Sequence, residues 1–176
     1  MSPQESTGPE PEQDEVDRII SGWAQALPEL DTQPMAVLSR LTRLARYLDA
    51  ARRRAFVQAG IEGWEFDMLA ALRRSPDGAL SPGALGAQTM VTSGTVTARV
   101  DKLVSRGLVR RERNPDDGRG VRVHLEADGI TRVDDAITAL VAAEATLLAP
   151  LDEAEQQTLA QQLRLLLLAF EHPPTG

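Results

Sequence analysis

The sequence predicts a mostly α-helical protein with a small β-wing. A short helical pattern followed by a long one, an arginine-bearing hairpin directly after them, and apolar helices on both sides carry that reading. Ser81-Pro82 opens the short helix, with Ser as N-cap and Pro at the first helical position. Thr92-Ser93-Gly94 breaks the chain and offers a second cap. Val96, Val100, Leu103 and Val104 then recur at helical spacing, and Gly107 stops that helix. The strand patterns 108–113 and 121–125 flank the turn Asn114-Pro115-Asp116-Asp117-Gly118-Arg119-Gly120. This is the layout of a winged helix-turn-helix with a helical dimerisation domain. Such a fold puts one helix in a DNA major groove and a basic hairpin beside it.

The remaining elements follow from the same rules. A first helix is expected from about Glu15 to Leu27, with Val16, Ile19, Ile20 and Trp23 on one face. Residues 28–34 interrupt it, and Asp31 or Thr32 caps a long second helix that reaches Gln58 and ends at Gly60. One face of that helix is apolar; the other bears Arg40, Arg43, Arg46, Arg52, Arg53 and Arg54 and is read as solvated. A third helix covers Gly63 to Arg74, and Ser75-Pro76-Asp77-Gly78 is a turn. After the wing a helix runs from near Asp128 to Leu148. Asp152 with Glu155 forms a capping box for a last helix ending near Phe170. Leu163, Leu165, Leu166, Leu167, Leu168 and Phe170 wrap that helix too widely for one surface stripe, which predicts a subunit interface.

The expected organisation is therefore a disordered tail at 1–14 and N-terminal helices at 15–60 for dimerisation and a ligand pocket. A winged helix-turn-helix at 61–126 and C-terminal dimerisation helices at 127–171 complete it. The tail is polar and rich in Pro and Glu and is read as disordered, not as a signal peptide, so cytoplasmic residence is expected. No apolar run reaches the roughly 20 residues that span a membrane.

Net charge is −7, an unpromising balance for a DNA binder. Its distribution reverses that impression. From Arg99 to Arg122 eight basic residues face four acids, a local excess of +4. DNA senses the field within a Debye length, so the local excess decides. There is no cysteine, which excludes disulfides, thiolate catalysis, cysteine redox sensing and cysteine-ligated zinc. His124 and His172 are the only histidines. No nucleophile–base pair, metal cluster or phosphate loop is visible, so neither an enzyme nor a cofactor is expected. A winged-helix protein-interaction subunit that never touches DNA is the alternative.

Ser93, Thr95 and Thr97 occupy the first turns of the long helix of this pair, where side chains reach base edges, with Thr92 at its cap. Ala98 suits a thymine methyl. Lys102, Arg113 and Arg122 suit phosphate, as does Ser81 at a helix start. A two-fold dimer would place two such helices one DNA turn apart on a pseudo-palindromic operator in double-stranded DNA.

Residues 92–103, then Arg106-Gly107-Leu108-Val109-Arg110-Arg111, the wing turn 114–120 and the stretch 121–129 resemble the MarR family of bacterial regulators. The resemblance covers nearly all of the expected folded length. It implies a dimeric winged helix-turn-helix repressor released by small, often anionic or aromatic, ligands. Asn114 stands where the family commonly has Asp, and Gly118-Arg119 where it has two arginines, leaving Arg119 as the tip arginine for the minor groove. Glu126-Ala127 replaces the usual Thr-Pro.

A narrower resemblance is to the branch with an extra first helix that responds to urate or to relatives such as tricarboxylates. It implies a ligand site at Trp23, Asp67, Arg99 and Arg111, the third-helix context being Gly63-Trp64-Glu65-Phe66-Asp67-Met68-Leu69. There Arg99 would clamp a carboxylate or enolate, and Trp23 would form a wall. Asp67 would be repelled by the bound anion, and Arg111 would pair with Asp67 or feel its displacement. Urate, a tricarboxylate and a phenolic acid all fit such a small anionic effector. The plainer readings remain open at this point. Trp23 and Trp64 can be packing residues, Asp67 an ion-pair partner, and Arg99 and Arg111 phosphate contacts.

Overall fold

The computed structural model describes residues 12–113 and 120–171. The elements in order are α1 (Glu15–Ala26), α2 (Gln33–Gln58), α3 (Gly63–Arg74), β1 (Ala79–Leu80), α4 (Pro82–Thr89), α5 (Ser93–Ser105), β2 (Val109–Arg113), β3 (Val121–Leu125), α6 (Ala127–Leu148) and α7 (Glu153–Glu171). The chain divides into two compact units between Asp49 and Ala50, so that α2 contributes to both.

In the first unit, α1 begins with a reciprocal cap. The Asp14 carboxylate accepts from the backbone N–H of Val16 and Asp17 at 2.8 and 3.0 Å, and the Asp17 carboxylate accepts from the Asp14 N–H at 3.1 Å. Arg40 of α2 bonds both acids, Nε to Asp14 at 2.8 Å and Nη2 to Asp17 at 2.6 Å. Asp31 accepts from the Gln33 N–H at 2.9 Å, the cap expected for α2. Val16 is the one buried residue among the described residues of this unit. Trp23, Leu38, Leu41, Leu44 and Tyr47 stay exposed.

The second unit has a packed core. Met68, Leu69 and Leu72 of α3, Leu85 of α4, Val96, Val100 and Leu103 of α5 and Val133 and Leu140 of α6 are buried together with Leu108, Val109, Val123 and Leu125. Phe56 and Phe66 stack at 4.5 Å between ring centroids. Three of the four apolar residues spaced along α5 turn inward, and Val104, next to Leu103 and off that face, stays exposed. Gly107 closes α5 at φ +69°, a left-handed conformation that suits glycine. Gly129 answers a different need: a Cβ there would lie 2.1 Å from the Leu108 carbonyl oxygen, so the first turn of α6 approaches the entry to β2 only without a side chain.

The wing has three strands, one more than the hairpin pattern predicts. β1 pairs antiparallel with β3 (Ala79 opposite His124), and β3 with β2 (Val109 opposite Leu125), in the order β1-β3-β2. Two residues are too short for a period of two to register in sequence, which is why β1 went unseen. The capping box of α7 forms as expected: Asp152 N–H to Glu155 at 2.8 Å and Glu155 N–H to Asp152 at 2.9 Å. No residue of α7 is buried.

Candidate nucleic-acid interface

The helix-turn-helix is built from α4 and α5. Ser81 caps α4, its Oγ accepting from the Ala84 N–H at 3.2 Å, with Pro82 in the first turn. Met90 ends α4 in a left-handed conformation at φ 52°, unusual for a non-glycine residue, and turns the chain toward α5. Thr92 is the N-cap of α5 in extended conformation. Its hydroxyl shares a hydrogen bond with the Thr95 hydroxyl at 2.9 Å, and Thr97 Oγ1 donates to the Ser93 carbonyl at 3.1 Å. These hydroxyls keep acceptor capacity outward. Thr92, Ser93, Thr97 and Ala98 are exposed, and Thr95 and Arg99 half-buried.

Each flank of α5 holds cations. On one side, the Arg99 guanidinium lies 5.4 Å from the centroid of a Trp64 ring on α3, and Lys102 Nζ lies 5.9 Å from it. Trp64 Nε1 donates to Glu62 at 3.0 Å, which fixes the indole plane. An open cleft of about 470 Å³ lies here, lined by Trp64, Gly94, Thr95, Ala98, Arg99 and Lys102. On the other side, Arg111 of β2 donates to Asp101 at 2.5 Å and to the Thr97 carbonyl at 3.4 Å. Arg111 is thus tied to α5, not to Asp67 as one expectation had it. Asp101 is two turns into α5 and faces the wing; Asp67 is exposed on α3 and forms no ion pair among the described residues. Trp23 lies on α1, in the first unit, and is 43% exposed.

Arg122 is half-buried and already paired within the fold. It donates to Asp77 at 2.5 Å and to the Ala79 carbonyl at 3.3 Å, which anchors β3 to the turn before β1. That hydrogen bond holds the Asp77 carboxyl below its ordinary range. Arg113 ends β2 and is exposed. Arg119 lies outside the described residues.

Sequence reading missed the ion pair between Glu65 and Arg106. Glu65 is 1% exposed; Arg106, the residue that ends α5, donates to it. The sequence signals only the cap: Glu62 and Glu65 stand three apart at a helix start, the Glu65 side chain accepts from the Glu62 N–H at 2.9 Å, and nothing local points to Arg106.

The model for the MarR family matches residues 59–120, which run from the turn before α3 through α4, α5 and β2 and stop just before β3. The HTH-type transcriptional regulator PecS of Dickeya dadantii is 32% identical over 143 residues, 81% of this chain and 86% of PecS. The chain belongs to the MarR family. Its fold matches that of Sco3205, a MarR family regulator of Streptomyces coelicolor solved in complex with DNA (TM-score 0.67, 22% identity, 84% of this chain and 93% of that one). It also matches a mutant MarR of E. coli complexed with operator DNA (TM-score 0.61, 25% identity, 82% and 97%). As a MarR-family protein it is a DNA-binding transcriptional regulator, and these relatives are regulators of transcription. Among the described residues no helix is long and apolar enough to cross a membrane.

Proposed function

We propose that this chain is a dimeric repressor that binds a pseudo-palindromic operator and leaves it when a small organic anion binds. The observation that carries this is the state of α5: Ser93, Thr97 and Ala98 are exposed at its start, while Arg99 and Lys102 flank one side and Arg111 the other. Ser93, Thr95, Thr97 and Ala98 would meet base edges, with Thr92 at the phosphate beside them. Ser81, Lys102, Arg113 and Arg122 would meet phosphates, and Arg119 the minor groove. Pairing of two chains would cover the apolar side chains of α7 and α6, including Leu165, Leu167, Phe170 and Val141.

In this reading the effector meets Asp67, Arg99 and Arg111 of the second unit, while the Trp23 wall remains an expectation from the sequence. An anion that draws Arg111 from Asp101 and the Thr97 carbonyl would free α5 from the wing, and Arg99 lies on α5 itself. Tenfold weaker operator binding needs only about 1.4 kcal/mol of differential affinity. Urate, a tricarboxylate and a phenolic acid share the needed charge and size.

A gel shift on the DNA upstream of the chain's own coding region tests the reading. A retarded complex that urate, citrate or salicylate dissolves supports it. Asp67→Asn should bind DNA as before but need more anion for release. Absence of any shift at low salt would favour a protein-interaction role, and an unaltered anion titration would remove Asp67 from the switch.

A further inference from the structure

We infer that Glu65 is a positioning residue for DNA recognition, acting through Arg106 to set the angle of α5. This rests on the reading of α5 as the recognition helix. Glu65 is the one buried charged side chain among the described residues. Its Oε2 accepts from the Glu62 N–H and from Arg106 Nη1. Arg106 Nη2 donates to the Gly60 carbonyl at 2.7 Å. The same carbonyl is within 3.4 Å of Arg132 Nη1 of α6, whose Nε holds Asp128 at 2.8 Å. The end of α5 is therefore gripped by a forked guanidinium in a socket made of α3, the turn before it and α6.

Capping α3 does not need a buried acid, because an exposed Glu at the third position does it equally well. Burying a carboxylate is costly unless a cation meets it. The burial is explained by a task beyond the cap, and the cation that meets it ends the recognition helix. That helix is thirteen residues long. At 1.5 Å per residue, a pivot of about 5° at Arg106 moves Ser93 by roughly 1.7 Å. Hydrogen bonds to base edges do not survive such a shift. Long Lys and Arg side chains on phosphates absorb it. Loss of the grip should thus cost specific binding and spare non-specific binding.

The test uses the full-length chain and two duplexes: one selected from random sequence by the unmodified protein, and one of scrambled sequence. Fluorescence anisotropy is read across a salt series, below the melting temperature of each variant. Glu65→Gln should weaken binding to the selected duplex about tenfold, the size of one lost base contact, with scrambled-duplex affinity and salt slope unchanged. Arg106→Gln should do the same, and the double variant should be no worse than either single one. Arg106→Lys keeps the charge but cannot reach Glu65 and Gly60 together, and should show the same loss of preference should Glu65→Gln fail to fold. Selected-duplex affinity at the unmodified level in these variants overturns the inference. So does an equal loss on both duplexes, which marks mere destabilisation. A salt slope lowered by about one in Arg106→Gln alone marks a direct phosphate contact and also overturns it. If the unmodified chain selects no duplex at all, the DNA reading itself fails.

Discussion

From α3 to α6 the chain closes a core: Met68, Leu69, Leu72, Leu85, Leu103 and Leu108 are fully buried, although Val104 and Val141 stay exposed. α7 hides nothing, although it carries Leu165, Leu166, Leu167, Leu168 and Phe170 in one run. The first unit buries only Val16 among its described residues. The same residue types serve two ends. In the winged-helix region they close a core within the subunit, and substitution there is governed by packing. On α7 they form a surface, and its fate is governed by what associates with it. In the dimer proposed above, that apolar run is the face that the second chain covers.

The contrast can be broken most severely at α7. Under the dimer reading, Leu165→Asp with Phe170→Asp places two charges in the subunit interface, the two side chains being 70% and 83% exposed here. The dimer dissociation constant should rise about a thousandfold, equivalent to roughly 4 kcal/mol. Operator binding should fall with it, because two half-sites then bind independently. Sedimentation equilibrium and anisotropy measure both. A dimer of unchanged strength would show that α7 is not the contact.

The packed region should fail differently. Gly129→Ala puts a methyl group 2.1 Å from the Leu108 carbonyl oxygen, backbone that cannot step aside cheaply. It should lower unfolding stability by about 2–3 kcal/mol, seen as a lower urea midpoint. Gly22→Ala on α1 is its counterpart: a Cβ there meets nothing within 4 Å. That change should raise stability by about 0.5–1 kcal/mol, through helix propensity alone. Equal effects at the two glycines would erase the distinction between the regions.

How much of this was readable in advance divides along the same line. The helices of the second unit were legible because their caps are local. Ser81-Pro82, Gly107 and the Asp152/Glu155 box each act within a few residues, and each took the expected role. The strand Ala79–Leu80 was not legible, because it is defined by its partner Val123-His124 and not by its own two residues. The candidate site was legible as a list of cations and hydroxyls, but not as a set of pairings. Arg111 with Asp101, ten residues apart, and Arg106 with Glu65, forty-one apart, depend on how α5 lies against β2 and α3. No periodicity encodes that. The Trp64 stack on Arg99 and Lys102 was hidden for the same reason, as Trp64 reads in sequence as core.

The smallest expected effect lies in the first unit, where polar contacts stand in for the missing core. Arg40 donates to Asp14 and Asp17, and the hydrogen bond from Arg40 chiefly holds the Asp14 carboxyl at about 2, below its ordinary 3.8. A carboxylate depressed on folding stabilises the fold above its unfolded value and ceases to do so once it is protonated. The tie between α1 and α2 should therefore be complete above pH 4, weaken as the pH falls from about 3.8 toward 2, and be absent below. In a Trp64→Phe background the fluorescence of Trp23 on α1 follows that step. Arg40→Gln should move the step upward toward the ordinary carboxylate range, while the α3–α6 core, followed by Trp64 in a Trp23→Phe background, shows no matching change. A Trp23 transition at the same pH with and without Arg40 would mean that α1 is held by its apolar face after all.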